Sequence, residues 1–275
     1  MQKMSVFIKR HIAVFLLVSI TFLLSCASRP PKPDEVDEFP LLTEKEEIKF
    51  GNYVDAVVAA RYPTLHDENT TQRVAEIGNK LAATSDRPHL PFTFKVLNTT
   101  EVNAFAAPGG FVYVTVGLLD ILEKKDELAS VMAHEIGHVC ERHSVRSYYT
   151  AQKIKTVLTL LDLGAMVVGY PPIAGMGGDI LGNIGRIVAN LTAVIISQGY
   201  SRSWESRADE LGLQYSSKAG YDPQAMVSVL ERFLRLEEER GEKIKLTILS
   251  SHPKTEDRIR NIKSLLEQMG GGEKD

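Results

Sequence analysis

Two histidines four residues apart with a glutamate between them, His134-Glu135-Ile136-Gly137-His138, are the residues of this chain best suited to chemistry. They fall inside a helical pattern, Glu127-Leu128-Ala129-Ser130-Val131-Met132-Ala133. On a helix, residues four apart share a face, so both imidazoles can reach one metal ion. Glu135 is one residue on, about 100° around the helix. That sets it beside the metal rather than on it, where a general base for an attacking water belongs. A catalytic zinc needs a third protein ligand and an open fourth position. No His-x-x-Gly-x-x-His continuation follows His138, which leaves a carboxylate from a later helix. Glu205 and Asp209, within Tyr200-Ser201-Arg202-Ser203-Trp204-Glu205-Ser206-Arg207-Ala208-Asp209, are again four apart on one face. One of them could bind the metal while the other accepts the free N–H of a ligand histidine and fixes its tautomer. On its own such a pair is more often a solvated face; beside His-Glu-x-x-His it supplies the best third ligand.

In combination these segments resemble zinc metallopeptidases of the HtpX and CAAX-prenyl-protease type, a gluzincin-like group. The resemblance is carried by His134-Glu135-x-x-His138, Glu205-x-x-Ala208-Asp209, Ser251-His252-Pro253-x-x-x-x-Arg258-Ile259 and Asn103-Ala104-Phe105-Ala106-Ala107-Pro108-Gly109-Gly110. It covers roughly Thr43 to Leu266, and four ordered motifs are far more specific than any one. It implies one zinc per chain held by His134, His138 and Glu205, with Glu135 as base and Asp209 supporting a ligand from behind. It also implies that the strand from Gly110 to Thr115 is the edge of a small sheet against which an extended peptide pairs by β-augmentation. Asn103, Gly110, Phe111, Val112 and Tyr113 would then line the substrate. His252 has three readings: a donor to the tetrahedral intermediate, an inhibitory fourth zinc ligand, or a structural His-Pro turn. His143, five after His138, is expected on a helix face contacting carboxylates. Cys140 departs from the family pattern and is expected to be a small buried hydrophobe.

The elements that must position these groups are also legible. Thr43-Glu44-Lys45-Glu46 is a capping box, followed by Ile48, Val54, Val57 and Val58 at helical spacing up to Tyr62-Pro63. A second helix fits Thr70 to Ala83, with Val74, Ile77 and Leu81 on one face. Pro91 to Leu97, with Phe92, Phe94 and Val96 alternating, reads as a strand, and Phe111 to Val116 as another after the turn signal Pro108-Gly109-Gly110. Helices dominate from Asp126 onward. Together with the resemblance, which implies the zincin fold, these features lead to the expectation of an α+β, mainly helical zincin with a small antiparallel-edged sheet packed on the active-site helix.

The N-terminus reads as an address. Lys3, Lys9 and Arg10 precede an uncharged run from Ile12 to Leu24, ending in Leu23-Leu24-Ser25-Cys26. That run is shorter than the roughly 20 residues of a membrane span and reads as a secretory signal. Leu-x-Ser-Cys resembles the bacterial lipobox, in which lipid is attached to the cysteine, here Cys26. Residues 1–25 are thus a lipoprotein signal peptide, 26–42 a Pro-rich acidic tether, 43–269 the peptidase domain and 270–275 a flexible tail. Ala27 rather than Asp after the cysteine favours, by the same resemblance, the periplasmic face of the outer membrane. The segment Lys153 to Gln198 is apolar and glycine-rich, either a pair of buried helices or a mobile cover touching membrane or unfolded substrate.

Composition sets the outer limits. The 275 residues are 44% hydrophobic and 24% charged, which excludes a disordered chain, a collagen-like repeat and a disulfide-dense mini-protein. The formal charge is -3. Without the three basic residues of the signal, 29 of the 32 basic residues face 35 acidic ones, near -6, a poor balance for nucleic-acid binding. With Cys26 lipidated, Cys140 has no partner for a disulfide. The expectation is a lipid-anchored zinc endopeptidase acting on misfolded or unassembled envelope proteins. A non-catalytic chaperone retaining the fold is the alternative, and a zinc hydrolase of another scissile bond a nearer rival.

Overall fold

The computed structural model describes residues 42–150, 200–240, 247–248, 252 and 255–271. The signal, nearly all of the tether, and the segment from Lys153 to Gln198 lie outside the described residues. The chain divides into two compact units, Leu42–Ser147 with Gly182–Asp275, and Met1–Leu41 with Tyr148–Leu181. Almost all described residues belong to the first unit, which holds the site. Among the described residues no helix is long and apolar enough to cross a membrane.

Helix α1 (Glu44–Arg61) starts on the expected capping box: Thr43 N–H donates to Glu46 at 2.8 Å, and Glu46 N–H to the Thr43 hydroxyl at 3.4 Å. Helix α2 (Glu68–Ala82) begins two residues earlier than its apolar spacing predicts, because Asp67 caps it by accepting from Thr70 N–H. Three strands follow: β1 (Thr93–Leu97), β2 (Ala104–Ala107) and β3 (Phe111–Thr115). A short helix α3 (Val116–Leu119) leads to α4 (Lys125–Cys140), which carries His134 and His138. Helices α5 (Arg202–Lys218), α6 (Ala225–Arg240) and α7 (Thr255–Gly271) complete the fold. This is the α+β, mainly helical arrangement expected.

The sheet corrects one expectation. Its order is β1-β3-β2, with β1 parallel and β2 antiparallel to β3. The strand from Phe111 to Thr115 is therefore central, its ladder groups taken on both sides, and Gly110, Phe111, Val112 and Tyr113 offer no free edge. The antiparallel edge strand is β2, Ala104–Ala107, which alternation could not reveal because Ala-Phe-Ala-Ala is apolar throughout and all four residues are buried. Asn103 lies just ahead of it, buried, its N–H donating to the Thr115 hydroxyl at 3.0 Å.

Every residue of α4 from Glu127 to Val139 is buried, so α4 is the central helix around which the others pack. Val112 and Val114 join its core together with Val74, Ile77 and Leu81 of α2. Its N-terminus is held by Glu127, whose carboxylate accepts from the backbone N–H of Glu123 and Lys124 and pairs with Arg232 of α6 at 2.8 Å. Helices α4 and α5 approach closely because each presents a glycine to the other. A Cβ on Gly137 would stand 3.1 Å from the Ala208 carbonyl oxygen, and one on Gly212 3.1 Å from the His134 backbone nitrogen. That proximity brings Glu205 and Asp209 to the two histidines. Gly212→Val is expected to lose about 1–3 kcal/mol of stability by overpacking, read as a lower urea midpoint at unchanged slope; an unchanged midpoint would show that the contact yields.

Candidate metal centre

The four side chains His134, His138, Glu205 and His252 are buried together, each offering a ligand atom within 4.8 Å of the others. His134 Nε2 lies 3.0 Å from His138 Nε2 and 3.6 Å from Glu205 Oε2, and His138 Nε2 lies 3.5 Å from Glu205 Oε1. Zinc bonds of about 2.0–2.1 Å in tetrahedral array separate neighbouring ligand atoms by about 3.3–3.4 Å. The separations found, 3.0 to 3.6 Å, are close to these, with one Glu205 oxygen facing each histidine. His134 and His138 come from one face of α4, as the spacing predicts; Glu205 comes from the first turn of α5, whose cap is Ser201.

Both histidines are held from behind. His134 Nδ1 lies 2.9 Å from Asp209 Oδ1, so an Nδ1–H can donate to the carboxylate and leave Nε2 with its lone pair. Asp209 stands behind His134, where such a supporting group would have to be. In turn it accepts from Arg258 of α7 in a two-pronged pair, at 2.6 and 2.9 Å. Arg258 also stands 3.3 Å from Glu205. Burial would raise the Asp209 pKa, but Arg258 and His134 outweigh it and hold the carboxylate below its ordinary range. Glu205 is held low in the same way, burial being outweighed by His252, Arg258 and His134. The sequence reading quoted Arg258 within a motif but assigned it no task. Its signal was an isolated arginine six residues after a histidine, which says nothing until the fold brings Asp209 to it.

His143 also departs from expectation. Among the described residues its hydrogen-bond partner is not a carboxylate but His138, the two Nδ1 atoms 2.7 Å apart, and its buried ring stacks on Trp204. Burial pushes its pKa down to about 3, so it is neutral. Cys140 packs partly buried against the core, and burial raises its thiol pKa.

Glu135 is fully buried, and its Oε2 has no hydrogen-bond partner among the described residues. Burial raises its pKa above the ordinary carboxylate range, opposed by His252 and His134. Three buried carboxylates (Glu135, Glu205, Asp209), the imidazoles and one guanidinium, Arg258, are thus gathered in one buried place. Donor chemistry, spacing and the orphaned Glu135 oxygen fit zinc.

His252 stands close among the donors. Its Nδ1 is 3.0 Å from both Glu205 oxygens and 3.2 Å from His134 Nε2, and its Nε2 is 3.4 Å from Glu135. Burial would lower its pKa, but the carboxylates of Glu205 and Glu135 outweigh that and raise it. It is tied in place through Ile248: His252 N–H donates to Ile248 O at 2.9 Å and Ile248 N–H to Val102 O at 3.1 Å. Beside Glu135 opens a small pocket of about 30 Å³, lined by His134, Glu135 and His252 and by apolar residues that include Val131, Val229 and Phe233.

The profile of peptidase family M48 matches residues 68–266, which include every one of these groups. The chain belongs to peptidase family M48. M48 metallopeptidases use zinc, the ion the donor set fits. Among curated relatives, a beta-barrel assembly-enhancing protease of Yersinia pestis is 30% identical over 229 residues, covering 83% of this chain and 45% of the relative. The beta-barrel assembly-enhancing protease of Escherichia coli K12 is 29% identical over 271 residues, 95% of this chain and 53% of the relative. The mitochondrial metalloendopeptidase OMA1 of Schizosaccharomyces pombe is 28% identical over 219 residues, 80% and 58% respectively. The chain spans about half the length of the curated relatives it matches first.

Proposed function

We propose that this M48 chain is a zinc metalloendopeptidase, anchored by lipid on Cys26 to the periplasmic face of the outer membrane, that cleaves misfolded or unassembled envelope proteins. The observation that carries the chemistry is the buried Glu135 oxygen, without a hydrogen-bond partner among the described residues, beside donors grouped closely enough to share one ion. His134, His138 and Glu205 hold the ion. Zinc, when bound, acidifies water towards neutrality and polarises a carbonyl. Glu135, its pKa raised by burial, accepts the proton of the attacking water and delivers it to the leaving amine. Asp209 and Arg258 keep His134 and Glu205 oriented. A purely structural site would have no use for Glu135, which argues against the chaperone alternative.

The substrate reading rests on three supports. The pocket beside Glu135, though small, has a mostly apolar lining, in keeping with the hydrophobic segments that unfolded proteins expose. The edge strand β2, rather than β3, is where an extended peptide would pair, which gives affinity with little sequence selectivity. The name of the bacterial relatives ties them to β-barrel assembly. The location rests on the lipobox-like Leu23-Leu24-Ser25-Cys26 and the Pro-rich stretch after it. Cys26→Ser is expected to move the protein from the membrane pellet to the supernatant and to abolish labelling by a fatty-acid probe; a labelled, pelleted variant would sink the anchor.

Of the three readings of His252, the spacing favours the inhibitory donor: Nδ1 stands at ligand distance from the other donors, in the position a substrate carbonyl or water must take. His252→Ala is therefore expected to keep its zinc and to cleave casein severalfold faster than wild type. A fall in turnover with zinc retained would restore the oxyanion-donor reading. Zinc-loaded wild type and His252→Ala that both leave casein intact would overturn the peptidase reading in favour of the chaperone.

A further inference from the structure

We propose that His143 is a positioning residue for the metal centre: its Nδ1 accepts the Nδ1 proton of His138 and so keeps the Nε2 lone pair of His138 directed at the ion. The inference rests on the reading of His138 as a zinc ligand. Two imidazole nitrogens 2.7 Å apart in a buried setting share one proton. His138 Nε2 faces His134 and Glu205 at 3.0 and 3.5 Å and must be unprotonated to bind metal. The shared proton therefore belongs to His138 Nδ1, and His143 accepts it.

A continuing helix could not make this contact. Five residues along an α-helix lie about 140° around and about 7.5 Å further on. Instead α4 stops at Cys140, and Arg142 takes a left-handed backbone conformation, φ 55°. A new helical segment, residues 143–150, starts after it. That turn folds His143 back beneath His138. Left-handed backbone is strained for arginine, and the strain is held by contacts of its side chain. Arg142 Nε stands 2.9 Å from the buried carboxylate of Glu47 on α1, and another guanidinium nitrogen donates to the Leu42 carbonyl. Glu47 is fixed in turn by two contacts of 3.0 Å from Arg87 and by the Gly109 N–H.

Two aromatic rings set the planes of the imidazoles. Trp204, next to Glu205, stacks on His143 with centroids 4.7 Å apart and planes 9° apart; Tyr200 stacks on His138 at 4.3 Å. Tyr200 is held by Ser144, whose hydroxyl also donates to Ala106 O of the edge strand. The choice of imidazole rather than carboxylate as acceptor has a charge rationale. Asp209 already serves His134, and an imidazole can accept the second proton without adding a further buried negative charge.

The test compares His143→Ala, which removes the acceptor, with His143→Asn, whose side-chain oxygen can stand where Nδ1 stands. Zinc dissociation constants come from competition with a chelator, and the coordination sphere is read from the visible spectrum of the cobalt-substituted protein. His143→Ala should weaken zinc about 10–100-fold and change the cobalt spectrum, while His143→Asn restores most of both. Equal losses in the two variants, or wild-type affinity in His143→Ala, would overturn the proposal. Should His143→Ala fail to fold, His143→Leu against His143→Asn gives the same comparison at conserved volume. A wild-type chain that binds no zinc would remove the metal reading itself, and this inference with it.

Discussion

A Glu135→Gln chain is expected to bind one zinc as wild type does and to cleave casein about 10²–10⁴-fold more slowly, the range for loss of a positioned general base. The side chains are nearly the same size, so the cavity wall is unchanged; what disappears is a group able to take a proton. Glu135 belongs to none of the donor contacts that assemble His134, His138 and Glu205, which is why metal content should survive. Stability should survive as well, because burial opposes the ionised carboxylate and its Oε2 makes no bond that the variant would break. If wild type is held closed by His252, the pair is compared in the His252→Ala background. Equal cleavage with and without the Glu135 carboxylate would remove it from the mechanism, whereas loss of zinc along with activity would make it a determinant of the site's assembly.

The second large effect is on stability. Arg258→Met is expected to cost about 3–5 kcal/mol, the usual consequence of leaving a buried charge without its partner. Arg258 binds Asp209 through two contacts of 2.6 and 2.9 Å and approaches Glu205 at 3.3 Å, so its removal strands two buried carboxylates. The loss is read by urea denaturation of the metal-free protein, and zinc should recover part of it by neutralising Glu205. The pH dependence has a definite sign. Because Arg258 and His134 hold the folded Asp209 pKa below its ordinary 3.8, despite burial, their contribution is present above that pH and is lost as pH falls towards the lower folded value. The gap between wild type and variant should therefore be widest near neutrality and narrow below about pH 4. A gap independent of pH would assign the loss to packing.

Local features were legible because they depend on a few neighbouring residues. The Thr43–Glu46 box opens α1 as expected. The apolar spacing of α2 and the strand read at Phe111–Thr115 mark real elements. The i,i+4 pairs His134/His138 and Glu205/Asp209 share faces because helix geometry requires it. Failures began where pairing or direction is set at a distance. β3 was taken as the edge from the family resemblance, and a strand's own residues do not report how many strands flank it. The antiparallel edge, β2, is apolar on both faces and carries no period. His143 was placed by counting along a helix that had already ended at Cys140.

By itself, then, the order of residues determined the candidate donors and the spacing within each helix, which follow from chemistry within a turn or two of chain, and four ordered motifs carried the likeness to the metallopeptidase class. Only the tertiary structure decided the rest. It brings His252 to His134 across 118 residues and Arg258 to Asp209 across 49. It makes β2 the edge and turns His143 under His138. Such contacts depend on how helices and strands pack, through Gly137 and Gly212 facing each other's helices and Glu47 clamping a strained turn. Nothing local in the sequence encodes that packing.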